Sequence, residues 1–290
     1  MHRVRTRLPA FGELPDGAAL ARDDTGRAAG RTGDGGGMLT MTVPCLPTDI
    51  ASSTMPSPAR LVIFDCDGVL VDSEPLTMTA LAALLRESGV DISSRSLLER
   101  FRGRRIADCL SELAEQHRLC LPEDFEPRLR ESAARLYRQE LAAVPHVRDV
   151  VQHLVEPHCV VTSAPRAKVA LMLAITGLSQ AFGRNIFSAY GYGIWKPDPG
   201  LFLAAAEAFA VKPQHCLVIE DSDVGVAAAT AAGMAVLRFD PSADRTRAPA
   251  TPRVGAVIIL PDMRELPDRL SRWRRHLNAD APGRIDPALV

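Results

Sequence analysis

From residue 60 onward, short apolar runs alternate with longer stretches whose apolar positions recur every three or four residues. That alternation predicts βαβ units around a parallel sheet. The runs are "LVIF" (61–64), "CVVTS" (159–163), "CLVIED" (216–221), "AVLRF" (235–239) and "GAVIIL" (255–260). Helical patterns fit between and after them. Residues 198–211 are alanine-rich, with Asp198 placed as N-cap and Pro199 at its favoured first position. Residues 223–234 run helical to Gly233, a C-terminal stop, and a last helix over 263–276 puts Leu266, Leu270 and Trp273 on one side. Residues 76–143 read as helices throughout, split by Gly89, Gly103 and Pro122, and are far too long for one crossover. The expected fold is α/β: a doubly wound, Rossmann-like parallel sheet with an inserted α-helical cap.

Three of the runs end alike. The first stops at Asp65, with Asp67 two residues on and Gly68 behind it; the second stops at Thr162 and Ser163, the third at Glu220 and Asp221. Ligands bind beyond the carboxyl ends of the strands in an open parallel sheet, so these polar groups should assemble on one edge. Both ends of the helical stretch return to that edge, which suits a small domain covering it.

Composition narrows the reading without deciding it. The chain has 290 residues, 47% of them hydrophobic, and a formal net charge of −1, so nothing global points to nucleic acid or an acidic membrane surface. No apolar stretch reaches the roughly 18 residues of a membrane span. Six cysteines form no CxxC pair and sit mostly inside apolar runs, which suits reduced, buried thiols and a cytoplasmic address. Residues 1–57 differ in kind. The segment "ALARDDTGRAAGRTGDGGGM" (19–38) is rich in glycine and arginine with little apolar periodicity, and is expected to be disordered. Glu13, Asp16, Asp23, Asp24 and Asp34 argue against a transit peptide.

Residues two apart on an extended segment face the same way, so Asp65 and Asp67 can approach one site together. Carboxylates that face each other repel unless they share a proton or a cation. Glu220 and Asp221 add acid to the same edge, and such a cluster favours a hard divalent ion with oxygen ligands, Mg²⁺ above all. Lys196, in "GIWKPDPG", is the basic counterpart. Acids, one lysine and a strand-end hydroxyl are the parts phosphoryl transfer requires. Each also has a plain structural reading: solvated strand-end acids, a surface lysine, a β-forming threonine, a helix N-terminal acid pair.

Four motifs in order, "FDCDGVLVDSE", "VVTSAP", "WKPDP" and "VIEDSDVG", resemble those of the haloacid dehalogenase-like (HAD) hydrolases over residues 60 to about 275. The helical insertion resembles the cap of the group with phosphoglycolate phosphatases, β-phosphoglucomutases and sugar-phosphate phosphatases. The resemblance implies a core of 58–75 and 144–278, a cap of 76–143 and a tail of 279–290. It implies that Asp65 attacks phosphorus, that Asp67 protonates the leaving alcohol and then takes a proton from water, and that Thr162 hydrogen-bonds a phosphoryl oxygen with help from the backbone of Ser163 and Ala164. Lys196 would neutralise Asp65 and the transferring group. Asp65, the Asp67 carbonyl, Glu220 and Asp221 would hold Mg²⁺.

An acid at position 67 favours phosphate chemistry over dehalogenation. The positions corresponding to a mutase's histidine and arginine are Thr77 and Ile106, which favours a phosphatase over a phosphosugar mutase; a catalytically silent binding module is the other alternative. Arg102, Arg104 and Arg105 lie near a helix start, where the macrodipole disfavours cations. Either an anionic substrate group or solvent accounts for them. The expected substrate is a small phosphorylated metabolite, a sugar or sugar-acid phosphate with 6-phosphogluconate leading, handled by a monomer.

Overall fold

A computed structural model describes residues 59–243 and 251–279. The expected disordered extension (1–57), Cys45 and all of the expected tail except Ala279 lie outside the described residues. In chain order the elements are β1 (Leu61–Phe64), α1 (Glu74–Glu87), α2 (Ser94–Phe101), α3 (Ile106–His117), α4 (Phe125–Glu140), α5 (Val147–Gln152), β2 (His158–Thr162), α6 (Arg166–Ile175), α7 (Ser179–Phe182), β3 (Ile186–Ser188), α8 (Ala189–Tyr192), α9 (Gly200–Ala208), β4 (Cys216–Glu220), α10 (Asp223–Ala231), β5 (Ala235–Phe239), β6 (Val257–Leu260) and α11 (Leu266–Ala279).

Six parallel strands form one sheet in the order β3-β2-β1-β4-β5-β6. The chain lays β1, β2 and β3 outward in one direction, then returns to place β4 on the other side of β1. Strand order therefore reverses between β1 and β4, the place where an open α/β sheet opens its ligand crevice. Asp65 follows β1 and Glu220 ends β4, and Asp65 N donates to Ile219 O across that boundary at 3.0 Å.

Side chains of successive strand residues point to opposite faces, and the core divides accordingly. Val62, Phe64, Val160, Leu217 and Ile219 pack into a cluster that includes α1, α4, α5, α6 and α11. Leu61, Ile63, Cys159, Val161, Cys216 and Val218 pack on the other face against Leu201, Phe202 and Ala205 of α9 and Ala228 and Ala229 of α10. The central strands, covered on both faces, read as unbroken apolar runs for this reason.

Three differences from the sequence reading have local causes. The helix expected from Asp198 starts at Gly200, because Asp198 Oδ1 accepts the Gly200 N–H at 2.7 Å in a tight turn ahead of the helix. The first helix of the insertion starts at Glu74, two residues early, with Pro75 in its first turn. β3 is a three-residue edge strand, too short for periodicity to show.

Candidate active site

Lys196 stands at the centre of the strand edge. Its Nζ donates to Asp65 Oδ1 at 2.7 Å and to Glu220 Oε2 at 2.6 Å, with only 3% of the side chain exposed. Burial works against the ammonium, but the charges of Asp65 and Glu220 outweigh it and hold the lysine above its ordinary range. The other Glu220 oxygen accepts from Ser222 N at 3.2 Å and Ser222 Oγ at 2.6 Å. Ser222 also caps α10 by accepting from Gly225 N.

Asp65, Glu220 and Asp221 each bring a carboxylate oxygen within 4.8 Å of the others. Burial, then the charge of Glu220, raises Asp65 well above the ordinary carboxylate range. The same two causes push Asp221 up to about 7. Among the described residues no hydrogen bond or ion pair engages the Asp221 carboxylate, which rests against Gly68. Three clustered acids facing one ammonium, with one of them otherwise unpartnered, fit a hard divalent cation bound through oxygen.

Asp67 does not join that cluster through its side chain. Its Oδ1 accepts from Lys168 Nζ at 2.7 Å and from the buried Ser73 hydroxyl. Burial raises the Asp67 carboxyl, but the charge and hydrogen bond of Lys168 outweigh it and leave the group below its usual range. The paired aspartates thus avoid facing each other: each has its own lysine, one from the loop before α9 and one from α6. Lys168 escaped the sequence reading, although a signal was there. It lies in the first turn of α6, where a cation opposes the macrodipole and needs an anion to hold it.

Thr162, at the end of β2, is buried and lines the same cavity as Ser163 and Ala164. Its Oγ1 accepts the Ala164 N–H at 3.0 Å, which leaves its own proton to donate. The Ala164 N–H is engaged in this turn, and the Ala164 carbonyl accepts from Ser188 Oγ.

The cavity is about 400 Å³. From the insertion it is lined by Thr77, Met78, Ile106, Leu129, Ala133 and Tyr137, with Gly103, Arg104, Arg105, Glu126 and Arg130 also on its wall. Arg102 does not line it; its Nε lies 3.5 Å from Glu74 Oε2 and its side chain is largely exposed. Arg104 lines it but pairs with Glu112 at 2.7 Å. Arg105 lies over the Trp195 ring, 4.7 Å from its centroid, and Arg130, which the sequence did not single out, lies over Tyr190 at 5.5 Å. Cys66, between the two aspartates, is fully buried, and burial with the adjoining acids raises its thiol well above the ordinary range.

Residues 59–233, more than half of the chain, match the haloacid dehalogenase-like hydrolase family. The chain belongs to that family. This HAD-like hydrolase is 31% identical over 179 residues to a 6-phosphogluconate phosphatase of Escherichia coli K12, a match covering 61% of this chain and 81% of that protein. A fructose-1-phosphate phosphatase of the same organism is 32% identical over 177 residues, covering 60% and 92%. Among solved structures, a HAD family hydrolase from Deinococcus radiodurans R1 with bound phosphate and sodium aligns at a TM-score of 0.59 and 28% identity. That alignment covers 78% of this chain and 100% of the other. No helix among the described residues is long and apolar enough to cross a membrane.

Proposed function

We propose that this phosphatase hydrolyses a small sugar phosphate or sugar-acid phosphate through an aspartyl-phosphate on Asp65, with Asp67 as the proton donor and acceptor. The observation that carries the reading is the division of labour between the two aspartates. Asp65 faces Lys196, Glu220 and Asp221, whereas Asp67 is drawn aside by Lys168 and Ser73. A nucleophile needs positive charge beside it, and a proton carrier needs its own seat apart from the acid cluster, with an oxygen left to reach the leaving group.

In the first step an Asp65 oxygen bonds to phosphorus as the bond to the leaving oxygen breaks, and Asp67 supplies the proton that makes that oxygen an alcohol. In the second, water gives its proton to Asp67 and its oxygen to phosphorus, releasing phosphate and restoring Asp65. Lys196 neutralises Asp65 and the transferring group, and Thr162 donates to a phosphoryl oxygen. Asp65, Asp221, Glu220 and the Asp67 carbonyl would hold Mg²⁺, whose charge offsets the negative charge that develops on the phosphoryl group.

Both curated relatives named above are phosphatases of phosphorylated sugars or sugar acids, and 6-phosphogluconate is the leading substrate. Arg105, whose nearest acid is Asp108 at 3.8 Å, is the wall cation best suited to its carboxylate, since Arg102 lies off the cavity and Arg104 and Arg130 are paired with Glu112 and Glu126. Thr77 and Ile106 on the wall favour hydrolysis over a mutase reaction, because neither can carry the charge or proton that a histidine and an arginine would bring. A silent module is disfavoured by the intact acid and lysine set.

The test is phosphate release from a panel of sugar phosphates and phosphoglycolate, with and without Mg²⁺, beside Asp65→Asn. Metal-dependent release that vanishes in the variant supports the reading. No release from any compound, with β-glucose 1-phosphate converted to its 6-isomer, would establish a mutase.

A further inference from the structure

We propose that Lys168 is a positioning residue for the leaving-group proton, acting through Asp67; this rests on the reading of Asp67 as proton donor. Lys168 Nζ and Ser73 Oγ converge on one oxygen, Asp67 Oδ1. Among the described residues the other oxygen, Oδ2, makes no hydrogen bond, and Asp67 lines the cavity. Two donors fixed on Oδ1 set the carboxyl plane and leave Oδ2 as the oxygen that carries the proton toward substrate.

The donors are themselves held. Ser73 is fully buried at the start of α1, and its carbonyl accepts from Thr77 Oγ1 at 3.0 Å. Thr77 Oγ1 lies 2.6 Å from Tyr137 OH on α4, and Lys168 Nζ sits 5.8 Å from the centroid of the Tyr137 ring. Contacts thus run from Asp67 through Ser73, Thr77 and Tyr137 to Lys168 and back to Asp67. The circuit joins the first and last helices of the insertion to α6 of the sheet layer, so the Asp67 rotamer depends on how the insertion sits over the sheet. Lys168 is also unlike Lys196: it lies on the cavity wall with 27% of its side chain exposed, and among the described residues Asp67 is the one acid it pairs with.

The P–O bond breaks toward the leaving oxygen, which takes the proton from Oδ2, and the carboxylate left behind recovers a proton from the hydrolytic water. A leaving group that departs readily as an anion needs little of this help. The experiment therefore compares kcat/KM for benzyl, phenyl and 4-nitrophenyl phosphates, similar in shape but decreasing in leaving-group basicity, in wild type, Lys168→Met, Lys168→Arg and Asp67→Asn. Lys168→Met should lose about 10²–10³-fold on the benzyl ester and less than about 10-fold on the 4-nitrophenyl ester. Lys168→Arg should recover part of the benzyl activity, and Asp67→Asn should show the same gradation more steeply.

Gradation in Asp67→Asn with an equal loss on all three esters in Lys168→Met would make the lysine merely structural and overturn the proposal. A rise in KM for 6-phosphogluconate alone, with the ester series unchanged, would make it a substrate contact and overturn it too. Absence of gradation in Asp67→Asn would overturn the reading of Asp67, and this proposal with it. Should Lys168→Met fail to fold, Lys168→Arg decides: a graded loss of about 10-fold supports the proposal, and a uniform one refutes it.

Discussion

Gly68 and Asp221 stand so close that a Cβ on the glycine would lie 2.1 Å from Asp221 Oδ2. Gly68 also has φ +82°, a conformation that costs an L side chain about 1–2 kcal/mol. The turn after β1 therefore has glycine for two independent reasons, and the first concerns the proposed cation site. Gly68→Ala should push the Asp221 carboxylate out of the acid cluster, raising the Mg²⁺ concentration for half-maximal activity by about 10-fold or more. The strain alone should lower Tm by a few degrees. A Mg²⁺ titration of activity beside a thermal melt checks both, and an unchanged Mg²⁺ dependence would show that Asp221 is not a ligand.

Removing Lys196 should cost stability as well as activity. It is the common partner of Asp65 and Glu220, and the Glu220 side chain is 1% exposed. Breaking a buried pair from one side leaves an uncompensated charge, typically about 3–5 kcal/mol. Lys196→Met should lower the unfolding free energy obtained from urea titration by that much in the presence of a chelator, and Lys196→Met with Glu220→Gln should recover part of it. Additive losses in the double variant would mean that the two residues are not coupled.

The strand-end acids were legible in the sequence because they violate a rule: an apolar strand does not usually finish in clustered charge. Asp65, Glu220 and Asp221 converge as expected, and Lys196 meets two of them. What was illegible lies in pairings between distant segments. Lys168 is 101 positions from Asp67, and only its placement in the first turn of α6 hinted at a partner. The arginines show the same limit. Arg102, Arg104 and Arg105 are adjacent in sequence, yet a turn at Gly103 sends Arg102 to Glu74, Arg104 to Glu112 and Arg105 to Trp195. Arg130 sits in an α4 pattern in which arginine recurs, and nothing there separates a cavity residue from a solvated one.

The Gly103 turn seats the insertion on the sheet edge. Its N–H donates to Glu74 Oε1 at 2.6 Å, its φ is +72°, and a Cβ there would lie 2.6 Å from Ser222 Cβ. Gly103→Val should hold this loop away from Ser222 and enlarge the cavity mouth. With the insertion covering bound substrate, as proposed, KM for the sugar phosphate should rise about 10-fold, with a smaller fall in kcat. Steady-state kinetics on the best panel substrate test this; a kcat defect at constant KM would mean that the loop acts on the chemistry and not on access.

Glu156 and Arg274, neither of which lines the cavity, tie α11 to the segment before β2. The Glu156 carboxylate is buried and accepts from Arg274 Nε and, at 2.7 Å, from Nη2. Burial alone would raise its pKa, but the Arg274 hydrogen bonds and charge prevail and hold it below the ordinary glutamate range. A carboxyl whose folded value is depressed contributes stability that is fully present above its unfolded value. That contribution fades as the pH falls through the folded value. Glu156→Gln should therefore lie below wild type in stability at pH 7, by about 1–2 kcal/mol, since the arginine is a third exposed and solvent screens the pair. The gap should narrow once the pH drops below about 4.5 and close at lower pH. Urea unfolding of both proteins between pH 7 and pH 3 measures it, and a gap that stayed constant across that range would show that packing, not charge, is what the substitution removes.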